Sequence, residues 1–245
     1  MIDPYDGLPD GEPLPETVLV VFAHPDDVDF GASGTIAALT GAGSTVTYCV
    51  VTDGDAGEAG ETPRENVAEL RQTEQRAAAA AVGVTDLRFL GWPDGAVVEG
   101  LDLRRDISRT IRQVKPELVI TQNPDRNLDR IYGSHPDHRA VASATIDAVY
   151  PDARNPWAHP ELDDEGHRPH AVPRLWLMGG PDPDLTVDIT ATFDAKVGAL
   201  TAHRSQTGHW TDLAASIGEW AERSGRQAGL GEGRKAERFR TVDTT

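Results

Sequence analysis

The chain has 245 residues, of which 38% are hydrophobic and 26% charged, enough for one α/β domain with a sizeable core or for two small domains. Its formal net charge of −17 repels phosphate backbones and anionic lipids, which argues against nucleic acid and membrane partners. The single cysteine excludes an internal disulfide and a cysteine-rich zinc knuckle. The N-terminus lacks the features of a signal peptide, and no apolar run approaches the ~20 residues that cross a bilayer. We therefore expect a cytoplasmic protein, and the many Arg, Ala and Gly residues point to a bacterial source.

Apolar strands and amphipathic helices alternate along the chain. Strands are predicted at 17–23, 45–52, 86–90, 118–121 and 174–178, and helices at 33–39, 62–82, 103–114, 191–203 and 213–224. This alternation is typical of parallel, right-handed βαβ units. The sequence therefore predicts the α/β class, as a single Rossmann-like domain with a mostly parallel sheet flanked by helices.

The domain prediction follows from composition. Residues 1–16 are acidic and rich in Pro and Gly, so they are predicted to form a flexible N-terminal extension to a domain at 17–245. Within that domain, the polar stretch 150–173 is predicted to be a long loop or a lid. Residues 225–245 begin with a glycine-rich segment and are predicted to be a C-terminal tail.

Two polar clusters follow predicted strands. Ala23-His24-Pro25-Asp26-Asp27 comes directly after the first strand, and Ser134-His135-Pro136-Asp137-His138 follows the fourth strand after a loop. Because ligands of parallel sheets bind beyond the carboxyl ends of the strands, both clusters are expected at one edge. Imidazoles and carboxylates gathered there would be costly without a cation. Zinc suits such ligands, and a catalytic zinc takes three protein ligands and leaves a fourth position open.

Other interpretations remain open at this point. Either cluster alone could consist of solvent-facing ion pairs at a strand end. A dinucleotide site is not expected, because the first βα turn carries two aspartates where such a site needs glycines. A metal phosphoesterase would gather two metals and basic phosphate clamps, and the sequence offers neither.

The two motifs resemble those of the PIG-L/LmbE-like deacetylases, zinc enzymes that remove acetyl from N-acetylglucosamine units. Ala-His-Pro-Asp-Asp and His-Pro-Asp-His both occur here unchanged. Further similarities are found at Gly34-Thr35-Ile36, at 69–74, at Asp94-Gly95 and at His203-Arg204-Ser205-Gln206. The resemblance spans roughly 17–206.

Carried over by position, the resemblance implies that His24, Asp27 and His138 bind one zinc ion per chain, with other divalent metals as alternatives. Asp26 matches the general base. His135 matches the histidine that stabilises the tetrahedral intermediate, and Asp137 would orient that imidazole and favour its charged form.

Three further residues are candidates for substrate contacts. Arg71 resembles a substrate-binding arginine, the alternative being a surface salt bridge with Glu74 or Asp94. Asp94 is a candidate partner for a sugar hydroxyl, and Tyr132 a candidate hydroxyl donor, with loop packing as its alternative. Among the tryptophans, Trp92 lies near Asp94 in sequence and is the candidate for stacking against a sugar ring.

The implied activity is a zinc-dependent hydrolysis that removes an N-acetyl or N-acyl group from an amino sugar in a GlcNAc-containing small molecule. Val28 and Asp29 stand where many family members carry Glu, and the stretch before the second motif is longer, so the substrate stays open. The alternatives are an amidase of a thiol conjugate or acylated antibiotic sugar, and a non-catalytic zinc-containing sugar-binding protein. A homo-oligomer is also left open.

Overall fold

The computed structural model describes residues 13–57, 60–128 and 131–244, with Tyr132 described by its backbone alone. The strands are β1 (Thr17–Phe22), β2 (Thr45–Thr52), β3 (Asp86–Trp92), β4 (Leu118–Gln122), β5 (Arg174–Met178), β6 (Leu185–Asp188) and β7 (Ala236–Asp243). They form one sheet in the order β3-β2-β1-β4-β5-β7-β6, in which β1 to β5 are parallel and β7 is antiparallel to both neighbours. The predicted α/β fold with a mostly parallel sheet is confirmed.

Helices cover both faces of this sheet. They are α1 (Asp27–Gly31), α2 (Ser33–Ala42), α3 (Arg64–Ala81), α4 (Leu101–Val114), α5 (Pro136–Asp147), α6 (Glu161–Asp164), α7 (Phe193–Ala202), α8 (Arg204–Thr207) and α9 (Leu213–Gln227). Alternate residues of β1 point to opposite faces. Val18, Val20 and Phe22 pack with α2, α3, α7 and α9, whereas Leu19 and Val21 pack with α4 and α5. No helix within the described residues is long and apolar enough to cross a membrane.

The prediction of a C-terminal tail at 225–245 was wrong for residues 236–243. Residues 236–243 form β7, which pairs with β5 and β6 inside the sheet. Charged and polar residues separate the buried Ala236 and Phe239 in this strand. A search of the sequence for apolar runs therefore does not find it. β6 was missed for a similar reason, because only two of its four residues are apolar and buried.

Two other predicted flexible segments are anchored. The Pro13 carbonyl accepts a hydrogen bond from Arg174 and the Pro15 carbonyl accepts one from Ser44, so the described end of the N-terminal extension is packed on the domain. The predicted lid at 150–173 lies against α4, where the buried guanidinium of Arg112 donates to four of its carbonyl groups. A buried guanidinium needs hydrogen-bond acceptors of this kind. The four hydrogen bonds of Arg112 therefore hold this segment against α4.

The topology fixes where the polar clusters meet. β1 is followed by a helix on one side of the sheet, and β4, its neighbour, leads to α5 on the other side. The chain order therefore reverses between β1 and β4, which is the crevice where ligands of open α/β sheets bind.

Candidate active site

Three side chains from the two motifs converge at this crevice. His24 Nδ1 lies 3.2 Å from His138 Nε2 and 3.3 Å from Asp27 Oδ2, and His138 Nε2 lies 3.0 Å from Asp27 Oδ1. His24 follows β1 directly, Asp27 begins α1, and His138 lies in the first turn of α5. The structure thus brings the three predicted metal ligands together, although residues 24 and 138 are far apart in the chain.

The donor set fits a metal ion of the size of zinc. Ligand atoms 2.0–2.2 Å from a tetrahedral ion are separated by about 3.3–3.5 Å, close to the spacing of these three groups. Two imidazole nitrogens at 3.2 Å, with carboxylate oxygens beside both, also form a set that suits a divalent cation.

Two more carboxylates lie on the other side of His24. Its Nε2 is 3.0 Å from Asp94 Oδ1 and 3.3 Å from Asp137 Oδ2. Because these residues surround one imidazole, His24 with Asp94 and Asp137 forms a second possible metal group, and His24 with His135 and His138 forms a third.

The hydrogen bonds of the carboxylates favour the set that contains Asp27. Asp94 accepts from the Ala56 amide, and Asp137 accepts from the amides of Gly95 and Val97. Carboxylates held in this way are suited to accept the Nε2 proton of a histidine that binds metal through Nδ1.

This arrangement corrects one of our sequence-based assignments and adds protein partners to another. Asp137 was expected to orient His135, but its carboxylate contacts His24. The contact between Asp137 and His135 is made by the backbone amide of Asp137, which donates to His135 Nδ1 at 3.3 Å. Asp94 was expected to meet a sugar hydroxyl; its two oxygens contact His24 Nε2 and the Ala56 amide, and a contact with sugar stays a prediction. The motif spacing is compatible with either pairing, and only the tertiary structure distinguishes them.

The pKa shifts show that the cluster attracts positive charge. Burial lowers the pKa of His24, but contacts with Asp137, Asp27 and Asp94 outweigh it and raise that pKa to about 12. Burial raises the pKa of Asp27, yet His138 and His24 hold it well below its usual range. The five side chains together therefore favour a cation at their centre, whether a proton or a metal ion.

Asp26 lies next to this cluster but is held apart from it. Its backbone is in the left-handed region at φ 88°, and its amide donates to Gln75 Oε1 at 2.8 Å. Its Oδ2 accepts from Arg71 Nη2 at 3.1 Å. Burial and the charge of Asp27 raise the pKa of Asp26 to about 7, although Arg71 opposes the shift.

Arg71 is fixed inside the protein, whereas the sequence predicted a substrate contact or a surface salt bridge. It is 5% exposed and donates to the carbonyls of Gly54 and Pro25 as well as to Asp26. Gln75, which sequence reasoning missed, lies one helical turn further along α3 on the same face. That i, i+4 spacing from Arg71 was the signal available in the sequence.

His135 is close to the cluster and differs from its predicted state. Its ring centroid lies 5.0 Å from that of His24 and 5.3 Å from that of His138. Burial and the two neighbouring histidines lower the pKa of His135, so the predicted charged form is disfavoured. Because Nδ1 accepts the Asp137 amide, the proton of the neutral ring is assigned to Nε2.

Two other contacts were predicted, by Tyr132 and by Trp92. The side chain of Tyr132 falls outside the described residues. Trp92 packs on the α4 face of the sheet and donates to Asp106 Oδ2 at 3.3 Å, so it does not serve as the expected sugar platform.

Several known proteins are similar to this chain in sequence and in fold. The PIG-L family, described as GlcNAc-PI de-N-acetylase, matches residues 19–149. A probable N-acetyl-alpha-D-glucosaminyl L-malate deacetylase 2 of Bacillus cereus is 39% identical over 202 residues, covering 78% of this chain and 83% of that protein. The diacetylchitobiose deacetylase of Thermococcus kodakarensis is 32% identical over 190 residues, covering 77% and 69%. The structure of N,N'-diacetylchitobiose deacetylase from Pyrococcus horikoshii, complexed with its inhibitor MPG, aligns with a TM-score of 0.85 at 28% identity, covering 94% of this chain and 85% of that one.

An imidazole–carboxylate cluster at the switch point of a parallel sheet, with one further carboxylate beside it, is an arrangement typical of a single-metal hydrolase. The match over more than half of the chain then gives the particular family: the chain belongs to the PIG-L family. Its relatives are named deacetylases, so it is a hydrolase that acts on an amide bond.

Proposed function

We propose that this protein is a zinc-dependent N-deacetylase of a small molecule that contains N-acetylglucosamine. The observation that carries the proposal is the meeting of His24 Nδ1, His138 Nε2 and Asp27 within 3.3 Å of one another. The names of the relatives, which specify glucosaminyl malate and diacetylchitobiose, support an N-acetylated amino sugar as the substrate. The net charge of −17 favours a neutral or cationic substrate over a polyanion.

His24, Asp27 and His138 would hold the zinc ion. When bound, zinc supplies a Lewis acid that polarises the acetyl carbonyl and makes water acidic enough to attack near neutral pH. The Nε2 proton of His24 is directed by two hydrogen-bond acceptors, Asp94 and Asp137. These two hydrogen bonds would fix the orientation of the His24 imidazole and increase the basicity of its Nδ1 atom.

Asp26 acts as the general base in this proposal. Arg71 holds its Oδ2, which leaves Oδ1 to take a proton from the attacking water. The neutral His135 donates from Nε2 to the developing oxyanion, a contribution typically of about 3–4 kcal/mol for a well-placed donor. Neutral His135 would become an imidazolate anion if it gave up its only ring proton, so protonated Asp26 is the group that returns a proton to the departing amine.

Hydrolysis of a substrate panel tests the activity. Zinc-loaded protein is incubated with N-acetylglucosamine, N,N'-diacetylchitobiose and N-acetylglucosaminyl malate, and the freed amine is quantified with and without chelator. We expect amine release that chelator abolishes and added zinc restores. Protein that carries zinc and releases no amine from any of these would support the non-catalytic sugar-binding alternative and reject the proposal.

Two variants separate metal binding from proton transfer. Asp26→Asn is expected to keep its zinc and lose most turnover, about 10²–10⁴-fold for loss of a general base. His138→Ala is expected to lose both. His170→Ala is a matched control, because His170 contacts the Pro116 carbonyl and lies outside the cluster. Equal zinc loss in Asp26→Asn and His138→Ala would contradict the assigned roles.

A further inference from the structure

A cavity opens from the metal cluster toward the C-terminal half of the sheet. It has a volume of about 630 Å³, and Asp27 and His138 are among the residues that line it. Its walls come from α1, from the segments after β4 and β5, from α9 and from β7. Sites for drug-sized ligands typically measure about 300–1,000 Å³, so this cavity can hold a ligand of more than one ring.

One wall of the cavity is aromatic. Trp210 and Trp220 both line it, with ring centroids 5.7 Å apart in an edge-to-face arrangement. Phe30, which extends from α1 beside the metal ligands, lies 6.2 Å from Trp210. We call these three residues the aromatic wall. They form a continuous apolar surface from the metal cluster outward, and Trp220 is 38% exposed.

Another part of the cavity lining is polar. Gln122 and Asn123 at the end of β4, followed by Asp125 and Asn127, present amide and carboxylate groups to the cavity. A pyranose ring has an apolar face of C–H groups and a rim of hydroxyls, so it matches a space with one aromatic and one hydrogen-bonding side.

The cations along this cavity already have partners. Lys196 donates to Glu237 Oε1 at 2.7 Å and to two backbone carbonyls, and Arg238 donates to Gln227 at 3.3 Å. Lys196 is neutralised by Glu237, and the three carboxylates among the lining residues outnumber the two cations, which favours an uncharged occupant over one that carries carboxylates.

We propose that this cavity binds an uncharged second sugar ring, linked to the N-acetylated one, and that Trp210 and Trp220 are the residues that select for it. The inference rests on the proposed function and extends it, because it assigns the part of the substrate that lies beyond the reacting amide. The observation that supports it most directly is that Phe30, which follows the metal ligand Asp27 on α1, packs against Trp210, which in turn packs against Trp220.

Kinetics on one-ring and two-ring substrates test the inference. For N,N'-diacetylchitobiose, Trp210→Ala and Trp220→Ala are each expected to raise KM about tenfold, the loss of about 1.4 kcal/mol of binding. For N-acetylglucosamine the KM is expected to stay unchanged. Trp→Phe at either position is expected to restore most of the loss, since a phenyl ring can still stack. Trp157→Ala is the matched control, because Trp157 is 86% exposed and does not line the cavity.

A binding experiment separates this inference from the proposed activity. Calorimetric titration of the zinc-loaded Asp26→Asn variant measures the affinity for N,N'-diacetylchitobiose and for N-acetylglucosamine without turnover. Tighter binding of chitobiose that the tryptophan variants abolish supports the subsite, even if the wild type releases no amine and the proposed function fails. Equal loss on both substrates in variants with unchanged urea unfolding would overturn it. So would a preference for N-acetylglucosaminyl malate that Arg238→Gln removes and the tryptophan variants leave intact.

Discussion

Gly54 is the residue whose substitution tests most directly how the base is positioned. It adopts φ +64°, and a Cβ atom added there would lie 2.6 Å from Arg71 Cζ and closer still to Nη1. Gly54→Ala therefore cannot leave the Arg71 guanidinium in place. The displaced group is the one that donates to Asp26 Oδ2 at 3.1 Å and to the Pro25 carbonyl at 2.6 Å.

The expected magnitude has two parts. An alanine at positive φ costs about 1–2 kcal/mol on its own. Loss of one hydrogen bond to a charged group adds about 1.5–3 kcal/mol, because Arg71 is only 5% exposed and water cannot replace its partner. A misplaced catalytic group can cost about 10²-fold in rate, so kcat should fall by about that factor while zinc content stays unchanged.

Gly60→Ala provides the matched control for this substitution. Gly60 has a similar φ of +60°, but none of the described residues lies within 4 Å of the Cβ position. It should share the backbone cost and keep full turnover per folded molecule. The assays are amine release, metal content and urea unfolding for both variants. If Gly54→Ala were as active as Gly60→Ala, the proposed positioning of Asp26 by Arg71 would be refuted.

Three further outcomes are expected. Asp137→Asn should weaken zinc affinity about 10–100-fold in a chelator competition, because the Asp137 carboxylate orients His24. Unchanged affinity together with an altered His135 titration by NMR would instead favour the pairing of Asp137 with His135. Burial lowers the pKa of His203, but Asp29 and neighbouring carboxylates outweigh it and raise the pKa, so the wild type should lose unfolding free energy as pH rises above about 6.5. His203→Gln should flatten that loss in urea titrations, and an identical slope would contradict the assignment. Zinc at 100 times its Kd should stabilise the wild type by about 2.7 kcal/mol, and an unfolding midpoint that does not respond to chelator would argue against a resident metal.

Local sequence determined the most about the fold and the metal ligands. Apolar runs predicted the five parallel strands, because strands covered on both faces need continuous apolar residues. The His-Pro-Asp-Asp motif places His24, Asp26 and Asp27 in one turn after β1, so their proximity follows from chain connectivity. The same patterns missed β7, because charged residues separate its two buried apolar ones and break the apolar run that the scan looks for.

Only the tertiary structure decided the partners that come from distant segments. Asp137 is only two residues from His135 in sequence and yet its carboxylate contacts His24, because α5 turns that side chain toward the end of β1. Trp92 lies beside a site residue in sequence but packs on α4, whereas Trp210 and Trp220 reach the cavity from far along the chain. Sequence patterns report which residues share a turn or a face of one element. Which faces meet depends on how helices pack across the sheet, and that is a property of the folded chain as a whole.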